Sequence, residues 1–210
     1  TVIVANNVTT ITLTPTATDP TSTIRVNGTA VPSGTASASI PLIVGPNLIT
    51  VLVTAQDGLT TDTYLVTVNR SQSSTATLSN LALSSGTLTP AFNGAITAYT
   101  AGVTNATTSI TVTPTTTDPT ASVTVNGNLV ISGTPSGAIP VVIGPNTGTV
   151  VVTAQDGVTS SVYTVTVNRA ASSIATLDNL AISSGTLVPT FTSGTTSYTT
   201  TVDNIVTSIT

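Results

Sequence analysis

Apolar residues alternate with Thr and Ser in short runs along the chain, and no stretch has the 3.6-residue period of an amphipathic helix. Such alternation is typical of strands that place one face in a core and the other in water. Thr suits the wet face, because its β-branched side chain favours pleated backbone. The pattern predicts about seven strands between residues 74 and 172. Their apolar residues are Leu78, Leu81, Leu83, Tyr99, Ala101, Val103, Ile110, Val112, Val123, Val125, Ile139 to Ile143, Val150, Val152, Val162, Val165 and Val167.

Turn signals separate these runs. Asn-Gly at 27–28 and at 126–127 predicts tight hairpins, because both central residues of a type I′ turn need a positive φ. Asp-Gly also occurs twice and is a second hairpin signal. Gly144-Pro145-Asn146 is expected to close the apolar strand before it. The predicted hairpin residues are Asn27, Gly28, Asp57, Gly58, Asn126, Gly127, Asp156 and Gly157.

The chain repeats itself every 99 residues without an insertion or deletion. Ala55-Gln56-Asp57-Gly58 returns at Ala154-Gln155-Asp156-Gly157, for example. We therefore expect residues 1–73 to form a β-sandwich repeat without its first strand region and residues 74–172 a complete repeat. Residues 173–210 should be the first strands of a third repeat. Because the chain starts and stops inside a repeat, we expect both true termini to lie outside it.

Several stretches together resemble a known family. They are LSNL at 78–81, YT at 99–100, VNG at 125–127, IPVVIGPN at 139–146, AQDG at 154–157 and YTVTVNR at 163–169. Over its whole length the chain resembles bacterial cadherin-like β-sandwich domains. The resemblance implies an all-β fold of tandem Ig-like antiparallel sandwiches, each with about seven strands. It also implies modules of large exported bacterial surface proteins, many of which have no assigned activity.

The composition excludes several classes of function. Charged residues are 5% of the chain and the net charge is −4, which argues against nucleic acid as a partner. The chain contains no His, Cys, Lys or Glu, so the usual general bases and nucleophiles are missing. We expect no enzymatic activity, no catalytic residue and no cofactor. No apolar run approaches the roughly 18 residues of a membrane helix, so we expect no membrane insertion in this segment.

The seven acidic residues do not suggest a metal site. Calcium needs six to eight oxygen ligands, usually from clustered carboxylates. No two of these residues lie within four positions of each other, and we interpret four of them as turn residues and expect no metal. The seven are Asp19, Asp57, Asp62, Asp118, Asp156, Asp178 and Asp203.

Arg and the aromatic residues recur with the same period. Arg70 and Arg169 end the last strand of each repeat, where a solvated strand end is the plain interpretation. The sharper hypothesis is an interdomain junction in which the guanidinium donates to carbonyls of the next domain. The six aromatic residues are predicted to be core residues with the Tyr hydroxyls bonded to nearby backbone. They are Tyr64, Tyr99, Tyr163, Tyr198, Phe92 and Phe191.

A tandem array acts through its length and its repeated surface, whereas an enzyme needs one asymmetric pocket. We therefore expect a stalk or fibre segment of a long bacterial surface protein, extracellular or on the cell surface, whose partners are neighbouring repeats. One alternative is an adhesin whose repeats bind a glycan or another cell. Another is a filament of many copies, in which segment 174–198 completes residues 1–73 of a neighbour by strand addition.

Overall fold

The computed structural model describes residues 1–210, which form sixteen strands and no helix. The predicted all-β fold of tandem sandwiches is confirmed. The chain divides into two compact units, Thr1–Arg169 and Ala170–Thr210, and the first contains every strand. Its first repeat comprises β1 (Val2–Val4), β2 (Thr10–Ile11), β3 (Thr23–Val26), β4 (Thr29–Ala30), β5 (Ile40–Pro41), β6 (Gly45–Thr54) and β7 (Thr61–Arg70).

The second repeat has nine strand segments. They are β8 (Leu78–Leu83), β9 (Ala98–Val103), β10 (Ser109–Ile110), β11 (Val112–Thr116), β12 (Ser122–Val125), β13 (Asn128–Val130), β14 (Ile139–Pro140), β15 (Gly144–Thr153) and β16 (Ser160–Arg169). Five of them form one sheet in the order β13-β12-β15-β16-β9, in which β9 and β16 are parallel. The pairs β8–β11 and β10–β14 supply the strands outside this sheet, and all these strands share one buried core.

The strand count exceeds the predicted seven partly because the third predicted strand is split at Thr111. The Ser84 hydroxyl accepts the Thr111 amide at 2.9 Å, and the Ser136 hydroxyl accepts the Val112 amide at 3.0 Å. The strand therefore pairs with β14 before this point and with β8 after it. Two side-chain hydroxyls thus replace ladder partners at the point where the strand changes its neighbour.

Gly144-Pro145-Asn146 begins a long strand and does not end a short one, which corrects the sequence interpretation. The Asn146 carboxamide accepts the Val142 amide at 2.9 Å and donates to the carbonyls of Val142, Gly144 and Val167. Gly144 has a φ of 92°, which a residue with a Cβ rarely adopts. The bend therefore lies just before β15, and Asn146 is its side-chain brace.

The first repeat has the same large sheet but no counterpart of β8. Its order is β1-β7-β6-β3-β4, with β2 and β5 paired separately. Strand β1 is parallel to β7, as β9 is to β16. Its core holds 7 buried apolar residues against 18 in the second repeat, so the missing strand leaves much of the inner face uncovered.

Tyr163 ties the first strand of the complete repeat to the core. Alternation along β16 buries Tyr163 and turns Val162 outward. The Tyr163 hydroxyl accepts the Leu78 amide at 3.1 Å and donates to the Gly94 carbonyl at 2.8 Å. Its side chain is 1% exposed, and Tyr99 beside the core is 2% exposed. Tyr163 and Tyr99 have the predicted role, a buried ring with a hydroxyl bonded to the backbone, whereas the prediction is wrong for Tyr64, which is 58% exposed.

Residues 170–210 contain no strand. One isolated bridge joins Val188 to Thr199, and the Tyr198 hydroxyl donates to the Thr192 carbonyl at 2.7 Å. The Phe191 and Tyr198 rings stack with centroids 6.0 Å apart, as Phe92 and Tyr99 do at 5.8 Å in the complete repeat. This segment therefore has the local turn of a repeat but not its paired strands.

Tyr163→Phe should destabilise the complete repeat by about 2 kcal/mol, because it leaves a buried amide and a buried carbonyl without their partner. Tyr64→Phe is the matched control at the equivalent position, which is 58% exposed, and should change stability by less than about 0.5 kcal/mol. Chemical unfolding of the dilute chain measures both. Equal effects of the two substitutions would contradict the role of the Tyr163 hydroxyl.

Candidate functional site: the junction between repeats

The linker between the two repeats begins on the first one. The Ser71 amide donates to the Val4 carbonyl at 2.9 Å. The Asn6 carboxamide donates to the Ser71 carbonyl at 3.0 Å. Both bonds involve residues at or just after β1, which itself pairs with the end of β7. The first linker residue is therefore held to the first repeat through both of its backbone polar groups.

Ser73, two positions later, belongs to the second repeat. Its amide donates to the Gln155 side-chain oxygen at 3.0 Å, and its carbonyl accepts the Asp156 amide at 3.1 Å. Its hydroxyl accepts the Thr75 amide at 3.3 Å and is the largest cause that lowers the pKa of Asp118 below its usual range. Ser73 is 5% exposed. Every polar group of this linker residue thus has a partner at one end of the second repeat.

Only Gln72 lies between the two held residues. A linker swings through the φ and ψ angles that no other contact restrains. Here those angles belong to about one residue, because Ser71 is bonded on one side and Ser73 on the other. The junction is therefore a short, restrained connection, in keeping with a linker that lacks Gly and Pro.

The Asp-Gly turns have a defined geometry. Asp156 joins β15 to β16, and its carboxylate accepts the amides of Val158 and Thr159 and the Thr159 hydroxyl at 2.6 to 2.9 Å. The Thr159 hydroxyl and these amides lower the pKa of Asp156. Gly157 has a φ of 72° while Asp156 has no positive φ, so the turn is not of type I′. Asp57 and Gly58 repeat this arrangement.

The Asn-Gly turns have the geometry expected of type I′. Asn126 and Gly127 have φ values of 49° and 82°, and the equivalent pair at 27 and 28 has 46° and 81°. The Asn126 side chain also accepts the Thr149 amide at 2.9 Å, which links the turn to β15. All four predicted hairpin signals therefore lie between paired strands.

The guanidinium groups of Arg70 and Arg169, the predicted junction residues, donate to backbone carbonyls of their own repeats. Arg169 donates to the carbonyls of Asn105 and Val141 at 2.7 to 3.0 Å, both within its own repeat. Arg70 donates to Asn6 and Leu42 in the same way. Alternate residues of a strand point to the same face. Arg169 lies two residues after the buried Val167 of β16, so its side chain points inward to these carbonyls.

Asp19, Asp57, Asp118 and Asp156 lie in separate turns, whereas Asp62 lies in β7. No group of three or more of them comes together as a metal site would require. Asp19 accepts the Thr21 hydroxyl and amide, which lower the pKa of its carboxyl. Asp118 has the same Thr120 contacts and additionally the Ser73 hydroxyl. The difference between these two equivalent residues is therefore the linker, which reaches only Asp118.

A family model for the cadherin-like beta sandwich domain matches residues 1–71 and 78–170. The chain belongs to this family. The two matched stretches are the two repeats, and they meet at the linker that Ser73 anchors. The resemblance stated from the sequence motifs is thus confirmed.

Similar proteins give little information about the function of this cadherin-like chain. A protein of Evansella cellulosilytica named "Putative membrane protein" is 44% identical over 97 residues, which are 46% of this chain and 14% of that protein. Fibronectin(III)-like modules of Clostridium thermocellum CbhA align over 80% of this chain and 90% of theirs, with 14% identity and a TM-score of 0.28. A chimeric titin Z1Z2 tandem aligns over 78% and 85%, with 12% identity and a TM-score of 0.24. No helix of this chain could span a bilayer.

Sequence reasoning missed Ser73 and Gln155. The signal was present, since Gln stands between Ala and Asp in both repeats although a tight turn does not require Gln there. Ser73 likewise returns as Ser172 in the next linker. Gln155 is half-buried while its equivalent Gln56 is exposed. A polar residue that the turn itself does not need marks a contact made outside the turn.

Arg169→Ala should destabilise the second repeat by about 2 kcal/mol, because it removes charge-assisted hydrogen bonds from two partly buried carbonyls. Arg25→Ala is the control, since Arg25 is exposed and donates only to Gly28 across its own turn. Its effect should stay below about 0.5 kcal/mol. Chemical unfolding measures both. An Arg169→Ala chain that keeps its stability and changes only its interdomain flexibility would restore the junction hypothesis.

Gln155→Ala should loosen the linker without unfolding either repeat, because it removes the acceptor of the Ser73 amide. Hydrogen exchange at that amide should accelerate by about tenfold. Gln56→Ala changes the same turn position where no linker is bound and should leave the Ser73 amide unaffected. Unchanged Ser73 exchange in the Gln155→Ala chain would show that the side-chain bond does not restrain the linker.

Proposed function

We propose that the chain is a non-enzymatic spacer segment of a long extracellular bacterial surface protein, in which it forms part of a stalk or fibre. Family membership supports an extracellular structural role, because cadherin-like domains are typical of such proteins. The composition supports a role without catalysis, since the residue types that usually act as bases and nucleophiles are absent from the chain.

The observation that carries the proposal is where the chain joins and leaves the complete repeat. The linker docks at Gln155 and Asp156, which lie at the tip of the β15–β16 hairpin. The chain leaves at Arg169, the last residue of β16. Ten strand residues at about 3.3 Å each separate these points by roughly 30 Å. Because the two connections lie at opposite ends of the longest strands, each added repeat extends the array by about its own length.

The restrained linker adds to this argument. A spacer loses reach when its modules fold back on one another, and a long flexible linker permits that. Here about one residue is unrestrained between the bonds of Ser71 and those of Ser73. Length and direction are therefore passed from one repeat to the next through hydrogen bonds and not through chain stiffness alone.

A chain held by its two ends in an optical trap should show one abrupt lengthening of roughly 300 Å, the extended length of the 92 residues 78–169 less their folded span. Unfolding is abrupt because the ladders of β15, β16 and β12 share one core. Gradual extension without a step would contradict a mechanical spacer.

Antibody labelling of intact source cells is the companion measurement for the location. Labelling without permeabilisation supports a surface role, and labelling only after permeabilisation contradicts it. A glycan array probed with the full chain separates the spacer from an adhesin, because specific retention of a sugar would assign binding to the repeats themselves.

A further inference from the structure

The second repeat contains a small apolar cavity between its strand layers. The cavity has a volume of about 250 Å³ and lies beside β15, next to Gly148. No charged residue lines it. Protein cores are normally packed with few voids larger than a water molecule, so a cavity of this size needs a cause in the sequence. Its walls are mainly buried core side chains, among them Ile110, Val125, Val141, Val150 and Val167.

Gly148 opens this cavity, because the equivalent position of the first repeat is filled. Ile49, 99 positions earlier, is 1% exposed and belongs to the core of the first repeat. Both positions face inward, since Val51 and Val150, two residues later on the same strands, are buried. Gly148 therefore leaves open the space that an Ile side chain occupies in the first repeat.

Two further replacements enlarge the same cavity. Val112 and Val141 line it, where the first repeat has Leu13 and Leu42. An Ile side chain has four carbon atoms that Gly lacks, and Leu has one more than Val. The second repeat therefore has six fewer carbon atoms at these three positions. All three replacements reduce the core around one point, so the cavity does not depend on a single small residue.

The backbone does not require Gly at position 148. Its φ lies outside the left-handed region that favours Gly. A Cβ there would lie 3.3 Å from the Asn126 side-chain oxygen, a contact that a shift of a few tenths of an ångström relieves. In the first repeat Ile49 coexists with Asn27, whose side chain makes the same bond to β6 that Asn126 makes to β15. Gly148 is thus distinguished by the space that it leaves and not by its backbone.

The walls of the cavity favour an uncharged, apolar occupant. The Asn146 side chain, which also lines the cavity, already donates to three backbone carbonyls at 2.8 to 3.2 Å. The side chains of Thr147 and Thr149 point to the opposite face of β15, because they alternate with Gly148. Water inside would find few hydrogen-bond partners. Apolar cavities of about 150 Å³ stay dry and bind benzene.

The position of Gly148 also gives a route to the cavity from solvent. Strand β12 pairs with β15 only from Val150 to Thr153. The part of β15 before Val150 has β16 on one side and no strand on the other. Gly148 and Ile139, which both line the cavity, are half-buried. A small molecule can therefore enter at this edge of the sheet without unfolding the repeat.

We propose that the second repeat binds one small, uncharged apolar molecule, of the size of a single aromatic ring, in this cavity. Gly148 provides the space, and Val141, Val150 and Val167 contact the ligand. A cavity of about 250 Å³ is too small and too apolar for an oligosaccharide, so this ligand class differs from the glycan of an adhesin. The site goes beyond the spacer role and does not depend on it.

Benzene is the probe, because its six carbon atoms match those that the second repeat lacks. In the full chain, the methyl NMR resonances of Val167 should shift saturably with benzene below its solubility limit. Val68 is the internal control, since it is the equivalent residue, is likewise 2% exposed and shares its core with Ile49. Its methyl resonances should stay unchanged.

A matched pair of substitutions on β15 tests the cavity itself. Gly148→Ile installs the side chain of the first repeat and should weaken benzene binding by about tenfold or more, because it fills the space. It should also raise the midpoint of chemical unfolding of the ligand-free chain. Thr147→Leu likewise installs the residue of the first repeat, Leu48, but on the outward face. It should leave the affinity within about twofold.

A third variant keeps the test decisive if Gly148→Ile does not fold. Val141→Leu adds one carbon atom to the wall, at a position where the first repeat already has Leu42, and should weaken benzene binding by about threefold. Unchanged affinity in this variant would overturn the proposal.

Other results contradict the proposal as directly. Val167 resonances that do not respond to benzene would show that the cavity takes no ligand. Equal shifts at Val167 and Val68 would place benzene on apolar protein in general and not in this cavity. Equal benzene affinity of the Gly148→Ile and Thr147→Leu chains would show that the space beside Gly148 is not the site.

Discussion

Coverage of the sandwich's inner face by its first strand is the constraint on which the rest of this structure depends. Where β8 is present, Leu78 and Leu81 close the core and the Tyr163 hydroxyl has two backbone partners. The first repeat has no counterpart of β8, and its equivalent residue, Tyr64, is exposed. Two repeats of similar sequence therefore differ in burial because of one strand, since a sheet face is stabilised only when apolar area and backbone groups are both covered.

The structure of the junction between repeats follows from the need of buried polar groups for hydrogen-bond partners. Each buried backbone group needs a partner, and the linker obtains its partners from the repeats on either side. Ser73 uses Gln155, Asp156 and Asp118, so the beginning of the second repeat is built partly from linker residues. The two connections lie at opposite ends of β16, and the proposed spacer role rests on this placement.

Much of this architecture was predictable from the sequence. Alternation located the strands, the Asn-Gly and Asp-Gly pairs located the hairpins, and the 99-residue period located the repeats. The bonds of Arg169 within its own repeat were missed, because the place of a residue at the end of a strand says nothing about which face it takes. The alternation of the buried residues Tyr163, Val165 and Val167 predicts that Arg169 also points inward. Ser73 was missed because its partners lie 45 to 83 positions away.

The sequence by itself determined the elements of this protein, because strand periodicity and turn chemistry are local properties of the backbone and its nearest side chains. It also determined that residues 174–187 and 75–88 are equivalent stretches of successive repeats, since they share most of their residues. Only the tertiary structure decided which polar groups have hydrogen-bond partners and which apolar side chains are buried. The exposure of Tyr64 and the partners of Ser73 depend on contacts between distant residues, which local pattern does not specify.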